Sequence, residues 1–448
     1  MNNREGWGTK LGFILAASGS AIGLGNIWKF PYITGDYGGG AFVLVYLVCV
    51  VLIGLPLMIA ELIVGRGSNR NVVGAFKALH RENSPWRFAG WMGVVSGFVI
   101  LSYYSVVAGW SLSYIFKAIS GFQGTAEQIQ GHFLELVLSP GDTIMWHTIF
   151  MVLTISIVYG GVKGGIERWS KILMPLLFGI LLALMIYGLT ATNGGVMALN
   201  FLFKPDFSKL TGEGILSAMG HAFFTLSLGM GAMITYGSYM KRDQSLIRSA
   251  VIISFLDTLI ALMAGVAIFS LVFHYGMQPG QSVGLIFKTL PVLFAETGRW
   301  VSVPFFVLLS FAALTSAISL LEVVVAYFVD EKKWSRPKAT LIMGSLIYMV
   351  GLLCSFATFT VPFVRGKDEN FFDIFDYLST NYMLPIGGLL TCLFIAWVVK
   401  DKIRTDQFGS SGTLYNGFIF IMKFITPIAV FIVLLHGLEL LPFMDYSN

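Results

Sequence analysis

Charge is what this chain has least of. Only 12% of its 448 residues are Asp, Glu, Lys or Arg, whereas 56% are hydrophobic and the mean hydropathy is +0.77. A soluble domain needs far more charge to cover its surface, so composition places the chain among polytopic membrane proteins. Cysteine is scarce as well: Cys49, Cys354 and Cys392 sit far apart in apolar runs, which excludes a disulfide framework or a thiolate cluster. Without clustered cysteine or histidine, a transition-metal centre is not expected. The stretch Gly161-Val162-Lys163-Gly164-Gly165 lacks the strand–loop–helix setting and the following Ser/Thr of a phosphate loop, which argues against ATP-driven pumping by this chain alone. No His, Asp and Ser residues converge at one depth, so a membrane enzyme is the weakest reading. The first apolar run has no small-residue cleavage site and reads as a retained span. The net charge of +5 points to no nucleic-acid partner.

What the chain does have is long apolar runs. They fall at 10–34, 38–64, 88–117, 146–162, 169–189, 214–240, 246–274, 302–329, 339–358, 379–399 and 413–440, most of them long enough to cross a bilayer. This predicts an all-α fold of eleven transmembrane helices, called spans 1–11 below. The N-terminus and the even-to-odd connections carry 20 of the 29 Lys and Arg residues, the opposite ends only 7. By the positive-inside rule the N-terminus is cytoplasmic and the C-terminus extracytoplasmic, in a multi-pass protein of the cell inner (plasma) membrane. Among the outer connections, 118–145 is expected to hold a short helix. An amphipathic piece at 282–293 reads either as a cap over the outer mouth or as a plain surface helix.

Two spans carry the same interruption. Ser18-Gly19-Ser20-Ala21-Ile22-Gly23-Leu24-Gly25-Asn26 weakens span 1, and Thr225-Leu226-Ser227-Leu228-Gly229-Met230-Gly231 weakens span 6. Glycine leaves the backbone free to depart from helical dihedrals, and carbonyls released inside a membrane need another partner. A repeat period of five spans requires halves of opposite orientation. Glycine-broken spans at corresponding places point to an inverted-repeat transporter with a midplane site. The repeats would be 10–189 (spans 1–5) and 214–399 (spans 6–10), with span 11 at 413–440 outside them, all within one transporter domain.

Polar residues at depth supply candidate ligands. Asp257 lies mid-span 7, where a carboxylate is expensive unless it meets a cation or strong donors. Span 8 carries Ser310, Thr315, Ser316 and Ser319. Carbonyls, hydroxyls, Asn26 and Asp257 form an oxygen-rich set suited to Na⁺. Glu61 in span 2 either pairs with Arg66 or accepts bonds from the loosened backbone, the second being preferred. Lys29 stands one turn beyond the first break, Asp373 and Asp376 at the outer entrance of span 10, and Arg4 and Asp330 at the inner ends of spans 1 and 8. These are candidate gates.

The motifs Gly23-Leu24-Gly25-Asn26-Ile27-Trp28-Lys29-Phe30-Pro31-Tyr32, Gly38-Gly39-Gly40-Ala41-Phe42 and Gly54-Leu55-Pro56-Leu57 resemble the neurotransmitter:sodium symporter family, especially its bacterial eleven-helix amino-acid transporters. Ser102-Tyr103-Tyr104 and Ala312-Ala313-Leu314-Thr315-Ser316 extend the resemblance over essentially the whole chain. It implies a leucine-transporter-like 5+5 fold with helices 1 and 6 unwound, and Na⁺ co-transported at two sites. One site would take Ala21, Asn26, Thr225 and Asp257 with the substrate carboxylate; the other Gly19, Ile22, Ala312, Thr315 and Ser316. The resemblance places the substrate carboxylate at Leu24, Gly25 and Tyr104, and its ammonium near Ala21, Phe224, Thr225 and Ser227. The side chain would lie among Ile100, Tyr104, Phe224, Met230 and Leu320. Tyr104 and Phe224 would form the outer lid, and Trp28 would pack the inner vestibule.

Gly23 stands where monoamine transporters of that family carry an acidic side chain. This favours an amino acid, and the apolar lining favours a neutral hydrophobic or aromatic one. In place of the glutamine and serine of chloride-dependent members stand His221 and Ala261 beside Tyr46 and Thr225, and Asp257 adds a fixed charge. Chloride-independent transport is therefore expected. Lys29 replaces the family's arginine and, lacking its bidentate fork, implies a looser outer pair. The expected activity is sodium symport into the cell by a protein functional as a monomer, with the lipid bilayer and a small amino acid as its partners. A substrate-sensing receptor on the same fold, and a small-amino-acid or single-Na⁺ symporter, are the rival readings.

Overall fold

The computed structural model describes residues 5–279, 283–363 and 368–441. Nine continuous helices among them are long and apolar enough to cross a membrane: Gly40–Ser68, Arg87–Ser120, Pro140–Tyr159, Val162–Ala191, Leu246–His274, Arg299–Asp330, Arg336–Cys354, Phe371–Val398 and Thr413–Gly437. They correspond to spans 2–5 and 7–11. Span 1 is a bent pair, Lys10–Ala21 and Gly25–Asp36, turning by 50° at the break. Span 6 is divided further, into Gly212–Thr225 and Ala232–Ser238. The intervening 226–231 holds three residues in the left-handed region, Ser227 (φ 54°), Gly229 (φ 79°) and Gly231 (φ 77°). Those dihedrals cannot continue a right-handed helix, so the unwinding follows from the local sequence. Counting eleven crossings requires these two pieces to be read as one span.

Pro140 and Pro337 stand in the first turns of their helices, where no backbone donor is needed. Pro31, Pro56, Pro385 and Pro427 instead lie inside continuous helices, each just after a wide turn that accommodates the missing donor. The 34 residues of span 3 (Arg87–Ser120) measure about 51 Å at 1.5 Å per residue, so this helix tilts or protrudes from the bilayer. Spans 3 and 8 are the interior of the bundle. In span 8 (Arg299–Asp330) 89% of the most apolar window is buried, against 33% in spans 5 and 11, whose faces are left for lipid.

The outer connections are structured. The expected short helix in 118–145 is Ala126–Leu138, opened by a capping box between Thr125 and Gln128. In the outer connection between spans 7 and 8 the helix lies later than the hydrophobic pattern indicated, at Thr289–Thr297 after a single turn at Val283–Leu285; Ser282 lies outside the described residues. Phe287 between them is fully buried and packs on Trp28, Trp110 and Tyr114, so this connection is fastened to the outer parts of spans 1 and 3. A short antiparallel ladder, Thr360–Pro362 with Asp368–Asn370, precedes span 10.

Several helices meet with almost no side chain between them. A Cβ on Gly65 of span 2 would lie 2.1 Å from the carbonyl oxygen of Ile234, and one on Gly237 would lie 3.1 Å from Leu62 Cα. Overpacking of this kind costs about 1–3 kcal/mol. Gly65→Ala is expected to lower the thermal midpoint of the detergent-solubilised protein by several degrees. Gly179→Ala, at a helix position with nothing within 4 Å, is expected to leave it unchanged or slightly raised.

Candidate functional site

The inner half of span 1 ends at Ala21, where Ile22 turns to extended geometry (φ −74°, ψ 102°) and its N–H donates to Ser18 O at 2.7 Å. The last carbonyls of a helix have no intrahelical donor, so those of Gly19, Ser20 and Ala21 must be met from elsewhere. Span 8 meets two of them. Ser316 Oγ lies 3.4 Å from Gly19 O, 3.1 Å from Ser20 O and 3.4 Å from Ile22 O. One residue earlier, Thr315 Oγ1 donates back to Ala312 O at 3.0 Å, and its Cβ stands 3.1 Å from where a Cβ on Gly19 would be. Gly19, Ile22, Ala312, Thr315 and Ser316, drawn from two distant stretches, thus surround one spot lined by hydroxyl and carbonyl oxygens.

A second group forms across the break. Asn26 Nδ2 donates to Asp257 Oδ1 at 2.8 Å and to Asp257 O at 3.0 Å, and Asn26 Oδ1 accepts from Gly23 N at 3.1 Å. Thr225 Oγ1, at the end of the outer half of span 6, donates to both carboxylate oxygens of Asp257, at 3.1 and 3.3 Å. Asn26 and Asp257 are completely buried. Among the described residues no Lys or Arg lies within ion-pair distance of Asp257. A carboxylate so placed is strongly biased toward binding a cation. Tyr46 and His221 pack against each other nearby, ring centres 5.4 Å apart and planes tilted by 42°. No group of three or more His, Cys, Asp or Glu side chains among the described residues is arranged to hold a metal ion, so any cation here would be bound by a mixed set of carboxylate, amide, hydroxyl and carbonyl oxygens.

Between the two groups lies a cavity of about 30 Å³. All ten residues expected to touch the substrate line it: Ala21, Leu24, Gly25, Ile100, Tyr104, Phe224, Thr225, Ser227, Met230 and Leu320. Its polar end is backbone, with Leu24 N donating to Tyr104 Oη at 3.3 Å; its other end is Ile100, Met230 and Leu320. Ser20, Gly23, Ser316 and Ser319 also line it and were not anticipated there. The polar stripe of span 8 was the signal that would have placed the last two. Ser20 Oγ donates to Ser319 Oγ at 2.7 Å, and Ser227 Oγ donates to Ser20 O at 2.7 Å. That bond fixes the left-handed turn of span 6 against the break in span 1.

Toward the outside, Tyr104 and Phe224 separate this cavity from a vestibule of about 200 Å³ lined by Trp28, Lys29, Tyr32, Phe372, Asp373 and Asp376. Trp28 is therefore on the outer side, edge-on to Phe287 at 5.9 Å, which corrects its expected place in the inner vestibule. The chain is already climbing outward in the wide turn Gly25–Lys29 when it reaches this residue. Lys29 forms no ion pair among the described residues; its ammonium lies over the Phe224 ring, 5.1 Å from the centroid. Asp373 is engaged with Asn370 at the start of span 10, and Asp376 with Thr380, so the expected Lys29–Asp pair is not closed.

Glu61 takes the backbone alternative, Gly229 N donating to its Oε1 at 2.7 Å, while Arg66 binds Gln244 O and Gln407. At the inner end Asp330 accepts from Asn71 N at 2.9 Å; Arg4 lies outside the described residues. The inner plug is Trp7, fully buried, its Nε1 donating to Tyr236 O at 3.0 Å and its ring against Phe13, Tyr236 and Tyr239. Beside it Glu5 pairs with Arg336, which holds Glu322, which in turn accepts from Tyr239 Oη at 2.6 Å. Sequence reasoning missed this network, although a glutamate inside the apolar run of span 8 was a usable sign.

Comparison with known proteins agrees with this geometry. The sodium:neurotransmitter symporter family model matches residues 4–124 and 122–448. An uncharacterized sodium-dependent transporter of Bacillus subtilis, YhdH, is 40% identical over 98% of both chains. One from Haemophilus influenzae is 33% identical over 97% of this chain and 98% of its own. Among solved structures, MhsT in complex with L-phenylalanine superposes with a TM-score of 0.89 at 45% identity, covering 97% of this chain and 100% of that one. The protein is a multi-pass membrane protein, and with broken helices meeting at a buried oxygen-lined centre, it belongs to the sodium:neurotransmitter symporter family.

Proposed function

We propose that this protein couples Na⁺ entry to uptake of a neutral hydrophobic or aromatic L-amino acid by alternating access, with two Na⁺ per substrate. The observation that carries the reading is the single cavity lined by all ten anticipated contact residues, with an oxygen-rich group of buried side chains on either side. Asn26, Thr225, Asp257 and Ala21 would hold one ion together with the substrate carboxylate; Gly19, Ile22, Ala312, Thr315 and Ser316 the other. Gly23 bears on the cargo. A Cβ there would lie 2.6 Å from Ser316 Oγ and 3.1 Å from Tyr104 Oη, so position 23 has no space for an acidic side chain to meet an amine, which favours a cargo that carries its own carboxylate. The apolar end favours a hydrophobic side chain, which is in keeping with the phenylalanine bound by MhsT.

At about 30 Å³ the cavity has room for little more than a water or two. An aromatic cargo therefore requires Met230, a flexible thioether, and Phe224 to give way. The same small volume is what favours the second reading, a small amino acid. In transport, spans 1, 2, 6 and 7 would rock against 3, 4, 8 and 9, the two sets drawn from the repeats 10–189 and 214–399. Release would be inward, across Trp7 and the Arg336–Glu322 network. Each charge crossing about 100 mV is worth about 2.3 kcal/mol. Two Na⁺ with a zwitterion supply about 4.6 kcal/mol, roughly a 10³-fold accumulation at 1.4 kcal/mol per decade.

Three measurements test this. In proteoliposomes with an inward Na⁺ gradient, labelled phenylalanine, leucine or tryptophan should accumulate and glycine or alanine should not; the reverse order supports the small-cargo reading, and saturable binding without accumulation a receptor. Asp257→Ala and Thr315→Ala should each raise the Na⁺ half-saturation for substrate binding by about tenfold or more, and a wild-type sodium response in both would remove the two sites. Replacing chloride by gluconate should leave uptake unchanged, because Asp257 already supplies the negative charge beside the cation.

A further inference from the structure

The segment before span 1 is fastened to the start of span 5 in both directions. Glu5 accepts a hydrogen bond from Val162 N at 2.7 Å. In return Glu167 accepts three from the other side, from Gly8 N at 2.6 Å, Thr9 N at 3.1 Å and Thr9 Oγ1 at 2.8 Å. Thr9 is the N-cap of the inner half of span 1, its Oγ1 accepting from Gly12 N at 3.0 Å. The Glu167 carboxylate is thus the outermost group of that helix's cap, and it is 3% exposed. It lies flush on the helix because Gly12 has no side chain: a Cβ there would be 2.3 Å from Oε1 and 2.4 Å from Cδ. The remaining contact is Lys171 Nζ at 2.6 Å, from span 5 itself.

We infer that Glu167 is a positioning residue for the transport cycle, a latch that holds the inner half of span 1 closed against span 5. The inference rests on the proposed alternating-access reading. Release of cargo inward requires the Lys10–Ala21 helix to leave its seat, and its other end carries the Gly19 and Ile22 carbonyls beside Thr315 and Ser316. The helix is rigid and about 18 Å long at 1.5 Å per residue, so a tilt at the cap displaces those carbonyls. Three bonds to a charged acceptor therefore bias the same equilibrium as an ion at the far end. Lys171 stays with Glu167 when the helix departs, so the carboxylate is not left unpaired in the open state and the latch can break and reform.

Glu167→Gln tests this, because it keeps the size but turns a donor toward Gly8 and Thr9. The closed population falls, and apparent affinity falls with the binding-competent fraction. The Na⁺ half-saturation for substrate binding is expected to rise about tenfold, and amide hydrogen exchange over 5–12 and 162–168 to accelerate. Lys171→Met, which leaves the three bonds to span 1, should shift half-saturation less than threefold. A folded Glu167→Gln protein with unchanged half-saturation and exchange overturns the latch, as does a lower number of binding sites at unchanged half-saturation, the mark of a merely structural role. If that variant does not fold, Thr9→Val, which removes one of the three bonds together with the cap bond from Gly12 N, should raise half-saturation about threefold, and no rise overturns the inference. Hydrogen exchange needs neither cargo nor sodium, so a failure of the proposed transport activity would be seen separately.

Discussion

A backbone carbonyl inside a bilayer must be answered by protein or by a bound cation, because no water is at hand. Two helices of this protein are broken at their middles, and the side chains around the breaks are placed accordingly. Ser316 reaches the carbonyls of Gly19, Ser20 and Ile22. Ser227 adds a second bond to Ser20, and Glu61 takes the Gly229 N–H on the far side of span 6. Asp257, Asn26 and Thr225 close the gap between the two breaks. The interior position of spans 3 and 8 follows: they are the walls against which both interrupted spans must be satisfied.

The part of this arrangement legible in the sequence is the part that violates a rule of membrane helices. Glycines and serines in mid-span, a carboxylate at Asp257 and hydroxyls in span 8 each stood out from an apolar background, and the resemblance then assigned them to one centre. The helices themselves were legible because apolar length marks a crossing directly. What escaped was geometry that depends on bend angle. Trp28 belongs to the outer vestibule because span 1 turns by 50° and restarts in a wide turn, and no periodicity argument can follow a residue through such a joint.

The charged networks at the two faces were legible only in part, for a different reason. A charge near a helix end has many possible partners, and the choice among them is made in three dimensions. Lys29 sits over Phe224 and does not meet an aspartate, while Asp373 and Asp376 accept from Asn370 and Thr380 of their own helix start. On the inner side Glu5, Glu167 and the Glu322–Arg336 pair come from three stretches of chain that are distant in sequence. Buried ion pairs of this kind are weak evidence for stability; what they do here is tie the segment before span 1 to spans 5, 8 and 9.

The near-contact of backbones at Gly65 and Gly237 has a mechanical meaning. With Ile234 and Leu62 pressed against those two positions, span 2 and the inner half of span 6 have no cushion of side chains over which to slide. The two are packed as one rigid unit beside the unwound 226–231 segment, so that neither can shift without the other. At the end of this unit Arg66 binds Gln244 and Gln407, so the same rigid pair is tied to the connections that follow spans 6 and 10.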